Sequence, residues 1–197
     1  VTTISTACSS AANAIMLGAR MIRAGLLDRV LVGGTDCLSR FTINGFNSLM
    51  IYTDSHCRPF DENRNGLNLG EAAAYLVLEA AEVAKRRGKS PIAYLTGYGN
   101  ANDAFHQTAS SDNGEGAYLA MRKALETARL NPTDIDYVNA HGTATPNNDL
   151  AEGNALLRIY GSASALPTFS STKAFTGHTL AAAGAIEAVF SLLALQH

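Results

Sequence analysis

Stretches that read as β-strands alternate with stretches that read as α-helices along almost the whole chain, and this limits the fold more than any other feature. Thr2–Thr6 (TTIST) has the composition of a short strand, and Ser9–Ala24 carries apolar residues at helical spacing up to a stop at Gly25. Val30–Gly33 reads as a buried strand, and Leu38–Thr53 as irregular with helical turns. Arg58–Gly70 (RPFDENRNGLNLG) has the Gly, Asn and Asp density of a loop too long to be a simple connection. Further strands are expected at Ala73–Glu79, Ile92–Tyr98, Ile135–Ala140 and Thr168–Ser171. Helices are expected at Ala80–Arg87, Glu115–Leu130, Asp149–Tyr160 and Thr179–Leu195. Such alternation predicts an α/β fold with layered helices and a mostly parallel sheet.

The chain has 197 residues, enough for one ordinary domain, two small ones, or a piece of something larger. With 47% apolar residues and 15 basic against 17 acidic side chains, it lacks the basic footprint of a nucleic-acid binder. No apolar run reaches the about 18 residues a membrane helix needs, and the first residues do not resemble a signal peptide. A cytoplasmic protein with reduced thiols is expected, because Cys8, Cys37 and Cys57 cannot all pair and show no metal-ligand spacing. The start at Val1 in mid-strand and the stop at His197 after an apolar helix suggest a fragment, incomplete at both ends.

Cys8 falls where a strand gives way to a helix, so the positive end of that helix would favour its thiolate. Thr6, Ala7, Ser9 and Ser10 around it are small and leave room for a substrate. His141 and His178 occupy similar junctions, each following a strand at the edge where α/β sheets bind ligands. A thiolate that accepts an acyl group, with donors for the charge that develops on a carbonyl oxygen, is the equipment of acyl-transfer chemistry. Cys37 and Cys57 read as small buried apolar residues, His56 and His106 as solvated or capping histidines, and Met16, Met21 and Met121 as core. Val32–Thr35 lacks the GxGxxG spacing, and no GxxxxGK[ST] occurs. Asp149 and Glu152 lie one helical turn apart, where helix capping by Asp149 is the simplest role. Cys8 and His178 each precede a small-residue helix, a weak repeat that divides the chain into halves 1–90 and 91–197 near Lys89-Ser90-Pro91.

Four stretches carry a resemblance: STACSS, RPFDENRNGLNLGEAAAYLVLE, NAHGTATPNND and SSTKAFTGHTLAAAGA. Together they resemble the β-ketoacyl-acyl-carrier-protein synthases, elongating condensing enzymes of the thiolase-like fold. The resemblance implies a layered α/β/α/β/α architecture with the nucleophile in the first half and the histidines in the second. It makes Cys8 the acyl-accepting nucleophile and His141 and His178 the pair that promotes malonyl decarboxylation and stabilises the enolate. Lys173 would support the histidines, and Glu187 would be a polar support. Thr143 and Thr145 would hold the pantetheine arm, and Phe46 would line the acyl pocket, although its spacing from Cys8 is one residue short. No cofactor and no metal are implied. The implied partners are acyl carrier protein bearing acyl and malonyl groups, and a second copy in a homodimer. Arg58, Arg64, Lys85, Arg86 and Arg87 are candidates to receive an acidic carrier. The residues leave open a polyketide-type condensing enzyme and a non-catalytic partner subunit, although such partners lack the cysteine. Family members are longer, and a C-terminal phenylalanine loop that supplies an oxyanion-hole N–H is not in this chain, so activity of this piece alone is not expected.

Overall fold

The computed structural model describes residues 1–196. In chain order the elements are α1 (Ser10–Arg23), β1 (Arg29–Asp36), α2 (Arg40–Ser48), β2 (Ala72–Glu79), α3 (Ala81–Arg86), α4 (Glu115–Ala128), β3 (Tyr137–Asn139), α5 (Pro146–Tyr160), β4 (Thr168–Ser170), α6 (Lys173–Thr176) and α7 (Ala183–Ala194). They form two compact units, one of Val1–Cys37, Gly70–Leu95 and the residues from 179 on, the other of Leu38–Leu69 and Thr96–His178. Each unit draws on both sides of residue 90.

In the first unit β1 and β2 pair antiparallel, with Val30 opposite Leu78 and Val32 opposite Leu76. Alternation sends Val30, Val32, Leu76 and Leu78 to one face. That face meets α1 at Gly18, where a Cβ would stand 2.5 Å from a Val32 methyl. Leu31, Tyr75 and Val77 on the other face stay exposed. Small residues also set the approach of α1 and α7, since a Cβ on Gly184 would stand 2.8 Å from both the Cβ and the backbone nitrogen of Ala12. Replacing a helical glycine ordinarily stabilises by up to about 1 kcal/mol. Overlap against a backbone atom costs more, so Gly184→Leu is expected to destabilise by about 1–3 kcal/mol, read as a lower urea midpoint at unchanged slope.

In the second unit β3 and β4 pair parallel, Val138 opposite Phe169, and α4 and α5 pack together over a core that includes Ala151, Ala155 and Leu156. Gly114, at φ +63°, lies so close to the Ala151 carbonyl that no Cβ fits. Pro146 occupies the first turn of α5, where its missing N–H costs nothing, and Gly161 ends the helix in the left-handed region.

Several sequence expectations are corrected. Thr2–Thr6 forms no strand beyond a single bridge between Thr6 and Cys8, because no neighbouring strand among the described residues pairs with it. Ile92–Tyr98 is not a strand either. The Tyr98 backbone N–H donates to Thr127 Oγ1 at 2.9 Å and its carbonyl accepts from the same hydroxyl at 2.8 Å, so α4 satisfies what a ladder would have. The sheets are not mostly parallel: one pair is antiparallel and one parallel. The connection from β1 to β2 is long enough to permit either direction, and periodicity carries no information on it. Leu38–Thr53 contains a regular helix, α2, whose start Ser39 caps by accepting the Thr42 N–H at 3.1 Å. The apolar C-terminal stretch begins with a 3-10 turn at Leu180–Ala182, entered through Leu180 at φ +55°, before α7 proper.

Candidate active site

His141 leaves the end of β3, where Ala140 N–H donates to the Ser170 carbonyl at 2.8 Å and prolongs the pairing with β4 by one bond. The chain then turns sharply, with Gly142 at φ +41° and Ala144 at φ +66°. Ala144 is wholly buried and pays for a conformation that L-residues avoid. Two carboxylates of α5 hold this turn. Glu152 accepts the N–H groups of His141 at 2.7 Å and Gly142 at 2.8 Å, and Asp149 accepts that of Ala144 at 3.1 Å and that of Phe60 at 2.7 Å. Helix capping by Asp149 is therefore corrected: α5 starts three residues earlier than expected, and the carboxylate reaches back into the loop. The Ser171 hydroxyl ties the turn to the following segment by donating to the Gly142 carbonyl at 2.8 Å.

His178 enters beside the turn through α6 and Gly177. Its backbone N–H donates to the Asn68 carbonyl at 2.7 Å, and its ring is 5.2 Å from that of His141, centroid to centroid, at 89°. Phe46 of α2 meets His178 edge-on at 6.3 Å. Lys173 and His178 are each 2% exposed, and Lys173 Nζ lies 3.3 Å from His141 Nδ1.

The electrostatics follow from this packing. Burial, then the Lys173 ammonium and His178, hold the His141 imidazole well below its usual range, so it is neutral near pH 7. An ammonium offers donors and no acceptor, so Nδ1 of a neutral His141 accepts from Lys173 and the ring proton belongs on Nε2. Burial pushes the Glu152 carboxyl upward, against the two backbone N–H groups and Lys173, which favour its charge. The cluster thus presents an imidazole N–H donor beside a second imidazole.

The second unit brings together four of the expected residues: His141, His178, Lys173 and Phe46. Thr143 and Thr145 follow on the same turn, their hydroxyls 2.8 Å apart, with Thr143 buried and Thr145 half-buried. Cys8 and Glu187 belong to the first unit. Cys8 is half-buried in a turn that begins at Ala7, φ +52°, just before α1. Ser10 Oγ donates to the Ala7 carbonyl at 2.6 Å and accepts the Thr6 N–H at 2.9 Å, which fixes the backbone on both sides of the cysteine. Glu187 is half-buried on α7. Cys57 is buried, as expected, and its thiol donates to the Lys173 carbonyl at 3.1 Å, whereas Cys37 is exposed, contrary to its reading as buried. His56 and His106 are exposed in loops, and His197 lies outside the described residues. Glu152 and Ser171 are the residues that sequence reasoning missed. The signal for Glu152 was its place one turn beyond Asp149 on the helix that follows the His-Gly-Thr turn.

No helix among the described residues is long and apolar enough to cross a membrane. Residues 1–84 match the family described as "Beta-ketoacyl synthase, N-terminal domain", and residues 92–197 match "Beta-ketoacyl synthase, C-terminal domain". The chain is 40% identical over 197 residues to 3-oxoacyl-[acyl-carrier-protein] synthase 2 of Staphylococcus aureus, covering 97% of this chain and 49% of that protein. It is 43% identical over 199 residues to the protein of the same name from Rhizobium meliloti, covering 97% and 47%. The chain spans about half the length of the curated relatives it matches. Among solved structures, a ketosynthase from Xenorhabdus doucetiae in complex with its chain length factor superposes with TM-score 0.89 at 42% identity, over 99% of this chain and 46% of that one. A type II PKS ketosynthase, bound to the hexaketide and in complex with its acyl-carrier protein, gives 0.92 at 34% identity, over 98% and 49%. A beta-ketoacyl synthase from Burkholderia phymatum gives 0.90 at 39%, over 96% and 47%. The α/β fold is thus the thiolase-like one that the four motifs implied, and the chain belongs to the beta-ketoacyl synthase family.

Proposed function

We propose that the protein performs a decarboxylative Claisen condensation that extends an acyl chain in fatty acid synthesis. The Cys8 thiolate attacks an acyl-carrier thioester, and the carrier thiolate leaves and takes up a proton, so that one thioester replaces another. A malonyl-carrier thioester then binds, its pantetheine arm along Thr143 and Thr145. The bond between its α-carbon and carboxylate breaks, carbon dioxide departs, and the electron pair passes into an enolate whose oxygen accepts from the His141 and His178 N–H groups. The enolate carbon attacks the Cys8 thioester, and the tetrahedral intermediate expels the Cys8 thiolate and leaves a β-ketoacyl carrier thioester. Lys173 sets the His141 tautomer, Phe46 lines the acyl pocket, and Glu187 is a polar support from α7.

The observation that supports this reading best is the neutral His141, with Lys173 on Nδ1 and the His178 ring 5.2 Å away. It is donor equipment for an enolate, set beside the buried Lys173 and His178. The acyl carrier protein is the partner in this reading, the protein works as a cytoplasmic homodimer, and the halves 1–90 and 91–197 descend from one duplicated unit. Among the basic candidates for the carrier, Lys85 and Arg86 are exposed, whereas Arg87 pairs with Glu79 and Arg64 is turned inward. A second reading, polyketide extension, is favoured by the likeness to ketosynthases solved with a chain length factor and with a hexaketide. Intact Cys8 weighs against a non-catalytic partner subunit.

The test uses the full-length gene product. Incubation with acyl carrier thioesters is expected to add one acyl mass to the wild type and none to Cys8→Ala. Cys8→Ala is expected to lose condensation entirely and to keep decarboxylating the malonyl thioester. No adduct on a folded wild-type protein would remove the condensing reading. Linear acyl products would favour fatty acid synthesis, and poly-β-keto products the second reading.

A further inference from the structure

The Arg58–Gly70 loop is long and polar, and the reaction proposed above gives it no role. Its backbone meets the His141–Thr145 turn at both of Ala144's polar groups. Gly66 N–H donates to the Ala144 carbonyl at 3.1 Å, and Asp149, which receives the Ala144 N–H, takes the Phe60 N–H on its other oxygen at 2.7 Å. Asn148 Nδ2 adds a third bond to that carboxylate at 3.1 Å. The Phe60 ring lies so close to Gly142 that a Cβ there would stand 2.8 Å from it. The left-handed Ala144 is therefore held by one buried carboxylate and one loop. Arg64 joins them: its Nε stands 3.8 Å from Asp149 Oδ2, Nη2 donates to the Pro146 carbonyl at 3.1 Å, and Nη1 donates to the Asp61 carbonyl at 3.0 Å. The Asp149 side chain is 1% exposed, and Arg64 places a guanidinium beside it.

We infer that the Arg58–Gly70 loop is a clamp on the Thr143–Thr145 part of the turn and that Arg64, acting through Asp149 and Pro146, is its positioning residue. The inference rests on the condensing reading for its kinetic consequence, not for its structural one. Glu152 holds the His141 end independently, so loss of Arg64 releases the threonine end first. In the full-length gene product, Arg64→Met is expected to speed amide exchange at Ala144 and Phe60 by about tenfold or more, while His141 and Gly142, bonded to Glu152, change little. KM for the malonyl carrier thioester is expected to rise about tenfold with kcat within about threefold, and Arg64→Lys to recover most of the change. Arg64→Gln, which keeps a donor for the Pro146 carbonyl, carries the same expectation where Arg64→Met does not fold. Unchanged exchange at Ala144 and Phe60, or exchange raised evenly through residues 96–178, overturns the clamp. A wild type that does not turn over the malonyl thioester removes the condensing reading instead, and the exchange result still decides the clamp.

Discussion

In a Cys8→Ala background, where the proposed mechanism leaves decarboxylation without condensation, His178→Ala is expected to lower malonyl decarboxylation about 10²–10³-fold, the loss that follows removal of one preorganised oxyanion donor. That factor corresponds to about 2.7–4 kcal/mol of transition-state stabilisation. The effect is large because the position is buried: His178 is 2% exposed, so water does not replace the missing donor at low cost. KM is expected to move little, since the enolate charge exists only after the carboxylate begins to leave. Retained decarboxylation in the double variant would remove His178 from the donor pair. Because the His178 ring packs edge-on against both His141 and Phe46, His178→Gln serves as the control that keeps a side chain in the space.

The residues of the proposed donor pair stand out in the sequence, but not the packing around them. Strand junctions marked His141 and His178, because ligands collect at such edges. The helices α1, α4 and α5 were legible for the same local reasons, in apolar spacing and in stops at Gly25 and Gly161. What escaped was whatever depends on a partner distant in sequence. Thr2–Thr6 and Ile92–Tyr98 have strand composition, but composition does not supply a neighbour, and the first has none among the described residues while the second spends its Tyr98 hydrogen bonds on Thr127. Asp149 read as a helix cap because capping is what an acid in a first turn does when only its own helix is considered. The backbone groups it holds, those of Phe60 and Ala144, lie outside that helix, and one of them is 89 residues away in sequence. Glu152 was passed over for the same reason.

Lys173→Met separates tuning from donation. The variant keeps the volume of the buried side chain and removes its charge, and decarboxylation is expected to fall by roughly 10–100-fold at most, the worth of one charge-assisted hydrogen bond of about 1.5–3 kcal/mol. The pH dependence carries the sharper signature. His141 protonates only well below its usual value of 6.5, so the wild-type acid limb of decarboxylation is expected below that value. Burial is the larger cause and survives the substitution, whereas the repulsion from Lys173 does not, so the acid limb is expected to move up in pH but to stay below 6.5. Stability should follow in two opposed windows. The unfolded chain takes up a proton at His141 as pH falls through 6.5 and the native state does not, so His141 costs the wild type stability on the acid side, and Lys173→Met should reduce that loss. Glu152 is raised, so the native state keeps a proton that the unfolded chain releases as pH climbs past 4.5, and its contribution is lost on the way up. Lys173 opposes that rise, so Lys173→Met should extend the Glu152 window to higher pH while it contracts that of His141. A pH–rate profile with an unmoved acid limb in Lys173→Met would show that Lys173 does not act on His141 at all.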